Sequence, residues 1–578
     1  MPYPHLRRHG ACLLSAVAGA LLLAACSDDH DDSDDSAAKS AVFAAVDAAS
    51  TDAEKRQVYA SDYVTIDGET RETSYVTILR SGEQRGSSTD LNVFGQVVDK
   101  TMAPILQEDG SATIADSNDF SSFLTVGSKL YAVSQFESQP GAMYLTELSQ
   151  NSETGKLTAV TTTALDLSGI NGIWNPCAGQ VTPWETHLGS EEYEPDAKSG
   201  TSSASTMSDY LGGDTTNPYF WGYPVEVAVG EDGTATVTKH YAMGRFAHEL
   251  EYVMPDSKTV YESDDGTNVG FFRYVADTAS DLSSGTLYAM KWTQTSTAGA
   301  SALGTADISW TELGSATDDE IKALIDAGTT FTDIFTVGTA TDGACPDGYT
   351  AVTANSTSLQ CLSLNDGMEK AAAFLETRRY AAYLGATTEM KKEEGVTFDP
   401  AGKKLYVAYS DVSSGMSDGS GDVQLAQNSC GAIYAYDVDD DYVATAATGV
   451  LQGSTASYAE DDTFYGNGCD VDGIGNPDNI SFMPDQKTLL IGEDASSAHQ
   501  NDMVWAYNVE SDTLTRIGST PYGAETTSLY YYPDLNDFGY IMFVVQHPYG
   551  ESDEDEVTDD SAERRSYFGY IGSLPPHS

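Results

Sequence analysis

The chain has 578 residues, with 88 acids against 29 bases and a formal net charge of −59. This balance excludes recognition of DNA or RNA through phosphates, and it favours divalent cations instead. The length allows one large repeat-built domain or several ordinary ones, and most of the acids serve as solvated surface.

The first element is a processing segment, "MPYPHLRRHGACLLSAVAGALLLAAC" (1–26), in which Arg7 and Arg8 precede an apolar run too short to span a membrane comfortably. It ends in "LAAC", the form of a bacterial lipobox, so Cys26 is expected to carry lipid; a plain secretory signal is the simpler alternative. The expected product is an exported lipoprotein facing the periplasm or cell surface, monomeric and touching the membrane only through its lipid. The paired arginines also fit twin-arginine export. Residues 27–55, opening with "SDDHDDSDDSAAKS", are expected to form an acidic disordered tether, and 56–578 a single domain.

Short strands rich in Val, Thr and Tyr then alternate with Gly, Asp, Ser and Asn turns, the pattern of an all-β sandwich, barrel or propeller. Three segments share one layout: "HELEYVMPDSKTVYESDD" (248–265), "EEGVTFDPAGKKLYVAYSD" (393–411) and "PDNISFMPDQKTLLIGED" (477–494). In each an acid stands six residues before a turn proline: Glu249 before Pro255, Glu394 before Pro400, Asp478 before Pro484. Read as regular hairpins, they place Glu249 opposite Asp264, Asp478 opposite Glu493 and Glu394 opposite Tyr409. Opposed like charges destabilise a strand pair unless a cation sits between them. One such hairpin reads as a solvated edge, whereas three at fixed spacing read as a shared cation site on one face of a β-propeller with a few inserted helices, expected to be six-bladed although the hairpins do not fix the blade number.

Helices are expected over 317–328, where acids open an apolar stripe at Ile321, Leu324 and Ile325, and over the Ala-rich 364–386, closed by Gly385. After Cys12 and Cys26 are set aside, five cysteines remain. Cys345 with Cys361 and Cys430 with Cys469 are the pairings expected outside the cytoplasm. Cys177 is then alone in "NPCAGQVTPWETHLGSEE", either a small buried hydrophobe or a metal-bound thiolate.

"CAGQVTPWETHLGSEE", "MGRFAHE", "EEGVTFDPAGKKLYVAYSD", "PDNISFMP" and "VVQHP" occur in this order. Together they resemble the PhoX family of bacterial alkaline phosphatases, over roughly residues 85–575. The resemblance implies an exported β-propeller phosphomonoesterase with iron and calcium in its site. Carried over by position, it implies Cys177 as an iron ligand, Glu249 and Glu394 as bridging or ligating glutamates, and Asp478 with Asn479 as a late acidic motif. Glu493 and Asp494 follow at the other strand end, and Asp264, Asp265 and Glu192 extend the set. Where the family commonly has an arginine that contacts phosphate, this chain has Lys392, a point charge without the arginine fork, followed by Glu393. Gln180 and Glu185 also depart from the family pattern and are expected to narrow or recharge the mouth, and the insert 198–218 and the two helices to cover it.

The chemistry implied is metal-assisted phosphoryl transfer from phosphomonoesters. No G-x-S-x-G, P-loop or H-E-x-x-H motif supports another catalytic class, and the 9 histidines include His248, read as structural, and His547, read as structural or ligating. Two other readings stand beside it: a calcium-dependent propeller hydrolase of other esters, and a non-catalytic calcium-binding lipoprotein. Cys177 separates them, because a purely structural calcium site has no use for a thiolate.

Overall fold

A computed structural model describes residues 40–87, 89–553, 556–558 and 561–577. The leader 1–26, Cys26 and tether residues 27–39 lie outside them. Among the described residues no helix is long and apolar enough to cross a membrane.

The recurrent Pro-Asp and Asp turns close hairpins through their own side chains. Asp256 Oδ1 accepts from the amides of Lys258 at 3.0 Å and Thr259 at 2.9 Å, and Asp399 Oδ1 accepts from those of Ala401 and Gly402, each at 3.0 Å. These short Asx turns set each strand against the next. Strand Pro477–Met483 is buried at every position, and so is its partner Thr488–Glu493. A strand buried on both faces cannot carry charge along its length, so its charges collect at its ends.

The strands form antiparallel sheets. One runs Asn118–Val126, Lys129–Phe136, Ala142–Gln150, Leu157–Ala164, and the next Gly179–Val181, His187–Gly189, Val225–Val229, Ala235–Lys239. A nine-stranded sheet has His248–Val253 at one edge and Glu393–Asp399 at the other, its halves joined where Thr305–Thr317 meets Ala444–Gln452. A further sheet begins at Pro477–Met483. In the last, Glu525–Tyr532, Gly539–Gln546 and Tyr567–Leu574 are completed by Ser74–Arg80 from the N-terminal side, which ties the two ends of the domain together. The first strands touch in the cyclic order Asn118–Val126, Gly179–Val181, His248–Val253, Glu393–Asp399, Pro477–Met483, Glu525–Tyr532 and back to Asn118–Val126. This ring of inner strands is a β-propeller-like fold.

The sheets pack through apolar faces. Tyr406, Ala408 and Ile433 meet Ile480, Phe482 and Leu489 from the following sheet, and Leu490 and Val504 meet Leu529, Ile541 and Phe543 from the one after. Helices Asp318–Asp326, Glu369–Leu375 and Thr377–Tyr383 pack outside the ring, the first capped by the reciprocal Thr317–Glu320 pair. Cys345 with Cys361 and Cys430 with Cys469 form disulfides, and Cys177 is free and buried.

Residues 40–55, expected within the disordered tether, are folded. Val42 and Phe43 pair with Thr65 and Val64, Phe43 packs against the core beside Leu490, and Thr51 caps helix Asp52–Lys55. Phe43 and the cap residues supply the burial and hydrogen bonds that a purely acidic tether lacks.

Candidate functional site

At one end of the ring, a cavity of about 220 Å³ is lined by nine carboxylates: Glu137, Glu192, Glu249, Asp265, Glu394, Asp478, Asp494, Glu525 and Glu551. Cys177, Ser117, Tyr193, His547 and Lys392 complete the lining. A larger cavity of about 540 Å³ opens at the opposite ends of the same inner strands, among the turn prolines Pro255, Pro400 and Pro484. Gln180 and Glu185 belong to that second cavity. Neither lines the acidic cavity, so they do not shape its mouth. No residue of 198–218 and none of the outer helices lines the acidic cavity. The insert is pinned outside it, with Lys198 Nζ on Gln360 Oε1 at 3.0 Å and Thr206 Oγ1 on Gln139 Oε1 at 3.2 Å.

One backbone device aims the acids. The regular ladder predicts Glu249 opposite Asp264, but the structure pairs His248 with Asp264 and resumes at Glu251 with Glu262, a bulge between them. The same one-residue shift pairs Glu393 with Tyr409 and Pro477 with Glu493, and it recurs where Asn118 pairs with Phe136. A bulge takes a residue out of the in-out alternation and re-aims its side chain. Glu249, Glu394, Asp478 and Asp119 all sit at these bulges, at the axial end of their strands.

A second regularity recurs at the open ends of five inner hairpins. The amides of Glu137, Glu192, Asp265, Ser410 and Asp494 donate to the carbonyls of Ser117, Asn175, Ala247, Lys392 and Asn476. Two residues after each of those carbonyls comes Asp119, Cys177, Glu249, Glu394 or Asp478. A thiol therefore stands where four other inner strands present a carboxylate. Cys177 Sγ lies 3.1 Å from Glu249 Oε2 and 3.8 Å from Asp119 Oδ2. Three of the carbonyl residues, Asn175, Lys392 and Asn476, have left-handed φ of 42°, 48° and 46°. Asn tolerates this conformation more readily than Lys, so the backbone at Lys392 is strained.

The expected site residues divide accordingly. Cys177, Glu192, Glu249, Asp265, Lys392, Glu394, Asp478 and Asp494 share the cavity. Asp264, Asn479 and Glu493 do not line it. The bulge leaves Asp264 inside its own sheet, near Arg378 Nε at 3.5 Å and accepting from Gly270 N at 3.2 Å. Glu493 is saturated by Trp505 Nε1 at 2.8 Å, Gly475 N at 2.8 Å, Met503 N at 3.0 Å and the nearby His499 Nδ1 at 2.8 Å. Asn479 turns its amide onto Asp478 Oδ2 at 2.8 Å, which makes it a support for that carboxylate. His248 is buried with its Nδ1 2.7 Å from Glu251 Oε1, outside the cavity, whereas His547 lines it with Nε2 3.3 Å from Glu525 Oε2.

The structure adds Asp119, Glu137, Glu525 and Glu551. "NDFSSFLTVGSKLYAVSQFE" carries Asp119 and Glu137 in the same layout of acid, strand, turn, strand and acid, without the turn proline that marks the other copies. That layout was the available signal. Glu551 comes from a loop and has none.

Electrostatics make the arrangement costly by itself. Burial, followed by the charges of Glu394 and Asp478, pushes the Glu249 carboxyl well up. Burial with Glu249 and Asp265 does the same at Glu192, and burial with Asp494 pushes Asp478 up to about 7. Burial, then Asp119 and Glu249, holds the Cys177 thiol protonated. Asp265 runs the other way: burial would raise it, but Lys392 and hydrogen bonds pull it below the ordinary range. Lys392 Nζ lies 3.4 Å from Asp265 Oδ2, 3.4 Å from Glu394 Oε1 and 3.9 Å from Asp494 Oδ2, and is the only Lys or Arg side chain on this cavity among the described residues. Burial opposes its charge, and these three acids more than restore it.

One ammonium cannot balance nine acids, so the cavity fits cations. Asp119 Oδ1 and Asp478 Oδ1 are buried without a hydrogen-bond partner. Three groups have ligand atoms within 4.8 Å of one another: Asp119, Glu137 and Cys177; Cys177, Glu192 and Glu249; Glu249, Glu394 and Asp478. They share Cys177 and Glu249, as a multinuclear centre requires. A thiolate with carboxylates suits a transition metal, and the all-carboxylate group a hard cation.

Among curated proteins no sequence matches this chain. Among solved structures, it is similar to Pseudomonas fluorescens PhoX in complex with vanadate, at 16% identity and a TM-score of 0.59, covering 92% of this chain and 98% of that one. A periplasmic gluconolactonase from Pseudomonas aeruginosa (11% identity, TM-score 0.30, 84% of this chain and 97% of that chain) resembles it only loosely. So does a putative 6-phosphogluconolactonase from Bacteroides uniformis (14% identity, TM-score 0.29, 84% and 98%). The family described as alkaline phosphatase PhoX matches residues 142–548, most of the chain. With that match spanning the inner strands from Cys177 to Glu525, the chain belongs to the alkaline phosphatase PhoX family and is a phosphoric monoester hydrolase.

Proposed function

We propose that this chain is an exported, lipid-anchored phosphomonoesterase whose site holds iron and calcium. The observation that carries the reading is the convergence of one thiol and nine carboxylates on a single cavity beside one ammonium. The similar structure in complex with vanadate, described there as a transition state analogue, supports phosphoryl transfer as the reaction class. Counting the halves of the nine-stranded sheet separately supports six blades.

In this reading Cys177 and Glu249, with Asp119, Glu137 and Glu192, hold iron, and Glu249, Glu394 and Asp478 hold calcium. Bound cations would supply positive charge against phosphoryl oxygens and the acidity that turns water into a nucleophile. The remaining work belongs to the chain. Lys392, held in place by Asp265, Glu394 and Asp494, meets a phosphate oxygen as a point charge. Ser410 Oγ, 2.7 Å from Glu394 Oε1, and Asn479, on Asp478, fix the orientation of two carboxylates. The Gln546 and Asn175 amides do so for Glu137, at 2.6 Å and 3.0 Å.

Metal analysis of the natively purified protein, together with hydrolysis of p-nitrophenyl phosphate, tests the proposal. Both iron and calcium are expected, with activity. Calcium without iron, and no hydrolysis after reconstitution, would leave the calcium-binding lipoprotein as the better reading.

A further inference from the structure

Tyr193 is the lining residue that neither the core nor the carboxylate set accounts for. The residue is 48% exposed, although its hydroxyl end is buried. The ring is nonetheless rigidly held. Its hydroxyl donates to Asp265 Oδ2, its carbonyl accepts from Trp174 Nε1 at 3.0 Å, and its φ of 46° lies in the left-handed region. Trp174 is itself anchored, its amide on Glu191 Oε1 at 2.9 Å and its ring 6.0 Å from that of Trp221. Held by these bonds on a strained backbone and lining the cavity, the residue stands where a molecule entering the site would meet it.

Asp265 gives the placement. One of its oxygens, Oδ2, takes the Tyr193 hydroxyl and also faces Lys392 Nζ at 3.4 Å. The ring and the ammonium thus flank a single carboxylate. A phosphoryl group drawn to Lys392 sets its leaving group beside the ring. The hydroxyl is already committed to Asp265 Oδ2. What the residue offers is the π face.

We propose that Tyr193 is a stacking platform for the leaving group, selecting phosphomonoesters with a planar aromatic leaving group over those with an aliphatic one. The inference rests on the phosphomonoesterase reading above. Aromatic pairs gain a modest increment beyond area burial, which amounts to a factor of about 10 in affinity.

The test compares kcat/KM for 4-methylumbelliferyl phosphate and glycerol 2-phosphate in the metal-loaded full chain. In Tyr193→Leu the aryl-to-alkyl ratio is expected to fall about 10-fold, through KM for the aryl ester. Tyr193→Phe removes only the hydroxyl and keeps the ratio within about twofold, and so does Tyr193→Trp. A further measurement needs no variant: phenylphosphonate should inhibit the unmodified enzyme about 10-fold more tightly than methylphosphonate. Equal loss on both esters in Tyr193→Leu, or equal inhibition by the two phosphonates, overturns the platform while leaving the phosphatase intact. An unmodified, metal-loaded enzyme that cleaves neither ester overturns the underlying functional reading and the platform with it.

Discussion

Cys177 Sγ and Glu249 Oε2 lie 3.1 Å apart, and these two residues are the ones that the ligand groups of the cavity have in common. The thiol occupies the position where other inner strands present Asp119, Glu249, Glu394 and Asp478. Cys177→Ala is therefore expected to lose iron and to lower activity by roughly 100-fold or more, since even support residues of metal sites cost 10–100-fold. The chain should stay folded, because a small buried side chain is exchanged for another. Iron content, circular dichroism and hydrolysis rates check this, and retained iron would remove Cys177 from the ligand set.

Removing the metals should expose the repulsion among the acids. Asp478 is raised to about 7, burial first and Asp494 second, from an ordinary value near 4. A carboxyl raised in the folded state contributes stability below its unfolded pKa, and that contribution is lost as pH rises through its folded one. The chelated protein should lose stability between about pH 4 and 7, by on the order of a few kcal/mol from Asp478 and the acids that titrate with it. Asp478→Asn should flatten that part of the profile, and the metal-loaded protein should lack it. Melting temperatures at several pH values, with and without chelator, are the measurement.

Lys392 faces Asp265, Glu394 and Asp494 on a strained backbone. Lys392→Met keeps the chain length and removes the charge. It is expected to lower kcat/KM by about 100-fold, the scale of losing one preorganised electrostatic contact. Lys392→Arg should recover much of the loss, because a guanidinium supplies the same charge. No recovery, with full metal content in both variants, would show that the ammonium does not meet phosphate.

Glu551 reaches the cavity from a loop pinned by the N-terminal segment. Arg56 pairs with Asp553 at 2.6 Å and lies over the rings of Tyr522 and Tyr549, at 5.5 and 5.6 Å. Both ends of this clamp lie outside the family-matched residues. Arg56→Ala should cost about 1–2 kcal/mol of stability, from two partly exposed ion pairs, with Asp52 and Asp553, and two cation–π contacts. It should also speed proteolysis of the 549–553 loop, which limited digestion followed by mass spectrometry measures. Unchanged cleavage would mean that the loop's backbone bonds to Tyr522 and Gly523 suffice.

Much of this molecule was legible in the chain itself. The alternation of short strands and Asp-closed turns specified an all-β repeat architecture, and the acid six residues before the turn proline marked the axial end of three inner strands. The disulfides are the two pairings expected, although cysteine count and spacing by themselves leave other connectivities open. The register was not legible, because an inserted bulge residue leaves no mark in a hydrophobic pattern that is apolar on both faces. For that reason Asp264 and Glu493 read as ligands while belonging to the interior of their own sheets.

Residue types and their spacing determined that carboxylates would gather at strand ends and that a single thiol would remain unpaired. The tertiary structure alone decided which of them meet. Closing the ring of inner strands brings Asp119, Cys177, Glu249, Glu394 and Asp478 together from distant parts of the chain, and a one-residue bulge in the strands of Asp119, Glu249, Glu394 and Asp478 turns each of those carboxylates toward the axis. The physical reason is that side-chain direction in a strand alternates with every residue, so one extra residue moves a charge from the sheet interior to the cavity.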